Sequence, residues 1–197
     1  MRYLLPLVLL SAPVSLLAQG GRFEESKRLG MAYLKEGKYD RAAAKLEEVH
    51  ETDPSDSMVA EALAVAYMNG DERKQDYTLD DKAKAILVQQ LQKGGRAIFH
   101  VQLNLSSTFY SGSTTKTCGG TMTLAKGKLA FLCERGDTGG DNSFDFTPAA
   151  VKETSARYDK GNGMFFIKTA KRTYNFHPAS WDKRHSQIIL ELITQYF

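Results

Sequence analysis

The sequence predicts an α+β protein: helical hairpins first, then a seven-stranded antiparallel β-barrel with a C-terminal helix. Two observations give the class: apolar residues recur at helical spacing as far as residue 93, and they alternate with period two from residue 96 onward. A third marks the boundary, where Gly94-Gly95 separates the two patterns. The predicted units are a signal peptide at 1–20, a helical domain at 22–94 and a β domain at 96–197.

The charge of the chain changes at the same glycine pair. Residues 22–95 carry 12 Lys and Arg against 15 Asp and Glu, a net of −3, whereas residues 96–197 carry 13 against 8, a net of +5. Because the basic residues of the second half are scattered rather than clustered, we interpret them as solvated surface and expect no nucleic-acid partner.

The first 20 residues have the pattern of a secretory signal peptide. Arg2 precedes an apolar run, and small residues follow it at Ala18 and Gly20. Pro6 and Pro13 interrupt the run, which is also short for a membrane span, so an uncleaved anchor is the less favoured alternative. We therefore expect a periplasmic or secreted protein after cleavage, with either small residue as the cleavage site.

The stretch 23–56 has the spacing of two antiparallel helices. Leu29 and Tyr33 share a face of the first helix with Gly30, and Leu46 and Val49 share a face of the second with Ala42; Gly37 permits a turn and Pro54 ends the hairpin. These positions resemble one tetratricopeptide repeat, a 34-residue helix-turn-helix unit. The resemblance implies that the helices approach closely at the small residues.

A second, degenerate repeat is predicted from Ser57. Its apolar positions stand 34 residues after those of the first, but the turn after Asn69 is about seven residues longer than a regular repeat allows. Thr78 is the predicted cap of the next helix, which ends near Gly94. Because two repeats leave apolar faces uncovered, we expect the β domain to pack on the last helix.

The resemblance also implies where a partner binds. In such proteins the first helix of each unit lines a concave groove that holds a peptide segment. The alternative is that Met31, Val65 and Met68 are buried under the β domain. Carried over by position, the predicted partner-binding residues are Lys27, Met31, Leu34, Lys35, Glu61, Val65 and Met68.

The β half contains seven short segments of alternating polarity and one amphipathic C-terminal segment. Trp181, Ile188, Leu192 and Tyr196 fall on one predicted helical face. The stretch 120–131, with the aromatic pairs that follow it, resembles the pleckstrin-homology domain and its GRAM-type relatives. Trp181 lies nearer the start of the helix than the family's tryptophan does. A generic antiparallel barrel or sandwich is the competing topology.

The two cysteines, Cys118 and Cys133, are predicted to form a disulfide. A two-residue turn at Lys126-Gly127 places Gly120 opposite Cys133 and leaves Cys118 diagonally adjacent, so a small register change joins them. An exported chain meets an oxidising compartment, where an even pair is joined. Two buried free thiols are the alternative.

No catalytic or cofactor motif stands out, so we predict a non-catalytic protein without cofactor or metal. The four histidines do not share metal-ligand spacing with acidic residues. An enzyme that uses residues around the loop Ser106–Lys116 is the competing alternative. This loop contains a single basic residue, Lys116, so the lipid site of pleckstrin-homology domains does not carry over and we do not expect a lipid ligand.

These observations predict an exported scaffold protein whose helical groove holds a segment of a protein or peptide partner in the cell envelope. The alternative is a membrane-surface or glycan-binding module that acts through the basic β domain. The residues that would serve the alternative are Lys168, Lys171, Arg172, Lys183 and Arg184.

Overall fold

The computed structural model describes residues 15–70, 77–105, 116–136, 143–159 and 162–197, with the backbone alone for 15–20, 157–159 and 162. The predicted signal peptide lies outside the described residues apart from the backbone of 15–20, and residues 106–115 of the long predicted loop lie outside them altogether.

The helices are α1 (Ser15–Lys35), α2 (Tyr39–Thr52), α3 (Ser57–Asn69), α4 (Tyr77–Gln92) and α5 (Lys183–Tyr196). The strands are β1 (Arg96–Asn104), β2 (Thr117–Ala125), β3 (Lys128–Gly136), β4 (Phe144–Phe146), β5 (Val151–Asp159), β6 (Asn162–Thr169) and β7 (Thr173–Pro178).

Helices α1 and α2 form a hairpin whose closest approach is at Gly30. A Cβ built on Gly30 would lie 2.7 Å from Cγ of Leu46, so a larger residue there would separate the helices. Gly37 makes the turn with φ of +71°, a left-handed conformation that glycine adopts without a steric penalty. The close approach and the tight turn agree with the spacing in the sequence.

Helices α3 and α4 form the second hairpin. Asp56 caps α3, because its carboxylate accepts hydrogen bonds from the backbone N–H groups of Met58 and Val59. Helix α4 begins at Tyr77, one residue before the predicted cap Thr78. Every residue of α3 from Ala62 to Met68 is buried, so this helix is covered on all sides along that segment.

The seven strands form one antiparallel sheet in the order β4-β3-β2-β1-β7-β6-β5. The first and last strands along the chain, β1 and β7, are neighbours in the middle of the sheet. They pair from Val101 opposite Pro178 to Asn104 opposite Asn175. With helix α5 after β7, this arrangement is consistent with the predicted pleckstrin-homology-like fold. The described strands do not close the predicted barrel by hydrogen bonding, since β4 and β5 are the two edges of the sheet.

The hairpin of β2 and β3 has the register that the sequence predicted. Leu124 lies opposite Leu129 and Gly120 opposite Cys133, and an irregularity between Gly119 and Gly120 supplies the small register change. Cys118 and Cys133 are joined in a disulfide with a Cα–Cα distance of 5.9 Å, as predicted.

Aromatic side chains show that the sheet curls. The rings of Phe144 on β4 and Tyr174 on β7 have centroids 4.5 Å apart, although three strands separate β4 from β7 in the sheet. Phe131, Phe165 and Phe176 fill the space beneath them and are at most 2 % exposed. The concave side of the sheet is therefore a packed core.

Helix α5 starts later than the sequence predicts. Asp182 caps it through a hydrogen bond from the backbone N–H of Arg184, so Trp181 lies in the preceding turn with φ of +59°. The predicted helical face that included Trp181 is therefore wrong at its first position. The face that α5 buries consists of His185, Ser186, Ile188, Ile189, Leu192 and Ile193.

A single hydrophobic core runs from the helices into the sheet. It joins Leu46 and Leu87 of the hairpins to Phe99 of β1 and Ile188 of α5 without a break. None of the described helices combines the length and the apolar character that a membrane span requires.

Candidate functional site

The face of α3 that was predicted to bind a partner is divided into a covered and an open part. Met58, Glu61, Val65 and Met68 share this face because they are spaced three, four and three residues apart. Val65 and Met68 are 8 % and 7 % exposed, and they line a narrow cleft with Ile98 and Phe99 of β1. This end of the face is thus occupied by the chain's own sheet, which is the alternative that the sequence left open.

Glu61 also belongs to the covered part. Its carboxylate accepts two hydrogen bonds from Arg96 at the start of β1, at 2.8 and 3.2 Å. The pairing holds the pKa of Arg96 above its ordinary value. Of the predicted contact residues, those on α3 are therefore engaged by β1.

The predicted contact residues on α1 are more accessible. Lys35 is exposed, whereas Met31 and Leu34 are partly buried against the core. Lys27 donates a hydrogen bond of 2.5 Å to Asp56, the cap of α3, and this bond raises the pKa of Lys27. Burial opposes ionisation of Asp56, but the bonds from Lys27 and from the N–H of Val59 outweigh it and keep the pKa of the carboxyl below its usual range.

One exposed residue of this region was missed by the sequence analysis. Met58 is 61 % exposed on the first turn of α3, two residues after the cap that Lys27 contacts. Its spacing from Glu61 and Val65 was the signal that could have found it. We define the α1/α3 face as Lys27, Met31, Leu34, Lys35 and Met58.

A buried polar chain links the helical half to α5. Nε2 of His185 lies 2.8 Å from Oδ1 of Asp80 on α4, and Nδ1 lies 2.5 Å from Oγ of Ser180 in the turn before α5. His185 and Asp80 are 7 % and 8 % exposed. The sequence analysis found no signal for this cluster because Asp80 precedes Ser180 and His185 by about 100 residues.

The chemistry open to this cluster is limited by its neighbours. A Ser-His-Asp chain can activate the serine, but acyl transfer also needs N–H donors for the oxyanion. The N–H groups of Ala179, Trp181 and Asp182 already bond to His100, Pro178 and Ser180, respectively. The two hydrogen bonds of His185 join α4 to α5 and to the turn before it.

Beside this link, Trp181 stacks on His177 with ring centroids 4.2 Å apart, while 43 % of Trp181 is exposed. His177 is buried and donates from Nδ1 to the carbonyl of Gly163 at 3.1 Å. Burial lowers the pKa of His177, and this hydrogen bond opposes the shift only in part. Burial therefore favours the neutral form of the imidazole beneath the indole.

The basic residues named for the alternative function do not form one patch. Lys168, Lys171 and Arg172 lie at the end of β6 and the turn that follows it, whereas Lys183 and Arg184 lie at the start of α5, close to Gly163 at the other end of β6. Because a strand rises about 3.4 Å per residue, the two groups of basic residues are about 20 Å apart along β6. Lys168 pairs with Glu153, Arg184 pairs with Asp81, and Arg172 lies over the ring of Tyr174.

Among the residues that the structure describes, no three His, Cys, Asp or Glu side chains are grouped so as to hold a metal ion.

Comparisons with known proteins add little to this geometry. No family model matches the chain. No curated protein matches it significantly. A solved structure described as "Critical structural role for the PH and C1 domains of the Vav1 exchange factor" is similar over 88 % of this chain, with 10 % sequence identity and a TM-score of 0.30, and this chain covers 62 % of that one. A likeness of this extent carries no argument about function.

Proposed function

We propose that this chain is an exported, non-catalytic binding protein that holds a segment of a protein or peptide partner in the cell envelope. In this proposal the two hairpins are a short tetratricopeptide unit, and the sheet covers the end of that unit. The observation that carries it is the exposure of Met58 next to α1 on a helix face whose other end is already packed against β1. In this proposal the exposed end of the face, at Met58, contacts the partner segment.

The α1/α3 face suits a segment with apolar residues and some acidic ones. Met31, Leu34 and Met58 supply apolar contacts from two neighbouring helices, and methionine adapts its shape to different partners. Lys35 is exposed one residue after Leu34 on α1 and can pair with a carboxylate of the partner. Binding by such a face requires no chemistry from the buried Asp80-His185-Ser180 link.

The experiment compares affinity capture by three forms of the chain from an envelope extract. The test variant carries Met31→Glu and Met58→Glu, which place charges where apolar contacts are expected. The control is Leu132→Glu, which introduces a carboxylate at an apolar residue of β3 that is 57 % exposed, much as Met58 is. We expect a partner captured by the parent and by the control to be lost by the test variant, while circular dichroism shows all three folded.

A partner retained by the test variant would contradict the proposal and transfer the binding function to the β half. In that case glycan arrays and anionic vesicles would be the next probes, with charge reversals at Lys171 and Arg172.

A further inference from the structure

Strand β5 is an open edge of the sheet. It runs for nine residues, Val151–Asp159, and pairs on one side with β6. Among the described strands, none pairs with its other side. Alternate backbone N–H and C=O groups along that side therefore point away from the sheet, in the pattern that another strand would satisfy.

Most of this edge lacks the features that usually block strand addition. Its register is irregular between Val151 and Glu153, but from Thr154 opposite Ile167 to Asp159 opposite Asn162 the pairing is continuous. The strand contains no proline. Six regular residues are enough for a strand of ordinary length to pair along them.

The concave side of β5 is incompletely filled. Thr154 and Ala156 are only half-buried, although their partners on β6, Ile167 and Phe165, are fully buried. An open cleft remains between Thr154 and the side chains of α5, namely Leu190, Glu191, Thr194 and Gln195. A strand added beside β5 would direct alternate side chains to this face, so one of them would enter the cleft next to Leu190.

Positive charges near the start of β5 indicate which kind of segment would bind along this edge. Lys152 is exposed, and Lys171 is exposed in the turn after β6, which lies close because Val151 pairs with Thr169. Lys168 at the same end is already paired with Glu153. The two remaining lysines favour an acidic group beside the start of β5.

We propose that β5 binds an extended segment of a partner protein as an eighth strand. The segment places an aliphatic side chain in the cleft between Thr154 and Leu190 and an acidic residue near Lys152 and Lys171. This site is distinct from the α1/α3 face, so it does not depend on the function proposed above and gives the chain a second contact.

The test uses phage-displayed random nonapeptides selected on the full chain. We expect enriched peptides to combine an aliphatic residue with acidic residues toward one end. Thr194→Arg, which fills the cleft from the exposed side of α5, should weaken the selected peptides at least tenfold. Lys152→Glu with Lys171→Glu should weaken them similarly, whereas Lys93→Glu with Lys116→Glu, an equal charge change at exposed positions elsewhere, should leave binding within twofold.

Amide hydrogen exchange then locates the bound peptide. Added protection should fall on residues 151–159. Equal binding to the Thr194→Arg variant, protection elsewhere, or a selection that enriches no peptide would each overturn the proposal. Concentration-dependent protection of β5 in the free chain, with no effect of peptide, would also overturn it, because the occupant would then be a second copy of this chain.

Discussion

Single residues determine how closely the backbone elements of this protein can approach. Gly120 is the sharpest case, since a Cβ built on it would lie 2.0 Å from the carbonyl oxygen of Leu132. Its neighbour Gly119 has the same chemistry, but the nearest atom to its Cβ would be 3.9 Å away. The two glycines of the β2 bulge are therefore predicted to differ in their tolerance of substitution.

We expect Gly120→Ala to lower the free energy of unfolding by about 3 kcal/mol, because the strands must separate to admit the methyl group. Gly119→Ala should change it by less than about 0.5 kcal/mol. Urea unfolding of both variants measures the difference. Equal effects would mean that β2 and β3 do not pair as closely as the register requires.

His177 is predicted to make stability depend on pH. Its pKa in the folded chain is lowered by burial, whereas in the unfolded chain it has the ordinary value of about 6.5. Above that pH the imidazole is neutral in both states. As the pH falls below about 6.5, the unfolded chain binds the proton more readily, so the free energy of unfolding decreases.

The variant His177→Asn retains a donor for the carbonyl of Gly163 but does not titrate. We expect its free energy of unfolding to be lower at pH 7.5, through lost contact with Trp181, and to fall less between pH 7 and pH 5 than that of the parent. Denaturation curves across this range make the comparison. A parent and a variant with the same slope would show that another group causes the pH dependence.

At the scale of elements, α4 and α5 are joined by a buried hydrogen-bonded pair and by an exposed ion pair. Asp80 and His185 are both buried, whereas the neighbouring Asp81 and Arg184 have side chains that are 64 % and 31 % exposed. A buried polar pair that loses one member leaves the other without a partner, while an exposed pair is screened by water.

Double-mutant cycles with alanine should separate the two pairs. We expect a coupling of about 2 kcal/mol between Asp80 and His185 and less than about 1 kcal/mol between Asp81 and Arg184. Both cycles use thermal or urea unfolding under the same conditions. Equal couplings would show that the buried link contributes no more to docking of α5 than its exposed neighbour does.

The β2–β3 hairpin is stabilised by the disulfide between Cys118 and Cys133, which are 15 residues apart. Replacing both cysteines with alanine should lower the free energy of unfolding by about 3 kcal/mol, chiefly by freeing the unfolded chain. The parent in excess reductant should show a similar loss. A reductant-treated parent as stable as the oxidised one would contradict this expectation.

At the scale of the whole molecule, the sheet decides which parts of the helical face are core and which are surface. Met58 and Val65 lie two turns apart on the same face of α3, yet they are 61 % and 8 % exposed because β1 covers only one end.

We expect Val65→Glu to lower the free energy of unfolding by at least about 3 kcal/mol through a buried carboxylate, whereas Met58→Glu should change it by less than about 0.5 kcal/mol. Circular dichroism with urea makes the comparison, and a folded, stable Val65→Glu variant would show that β1 does not pack on α3.

The sequence by itself determined the class of the fold, the order of the strands along the chain, the β2–β3 register and the disulfide. Each depends on neighbours in sequence: apolar periodicity, a glycine turn and two cysteines in one hairpin. It also placed all seven predicted contact residues on helices. Six of their side chains are partly or wholly buried in the structure, and Lys35 is exposed.

Only the tertiary structure decided which of those residues remain available to a partner. Val65 and Met68 are buried because a strand that starts some 30 residues later packs on them, and periodicity does not distinguish a face covered by a neighbour from a face open to solvent. The same holds for the Asp80-His185-Ser180 link, whose members meet only when α5 docks on α4. The position of Trp181 was also decided at this level, because Asp182 caps α5 and excludes the tryptophan from the helix.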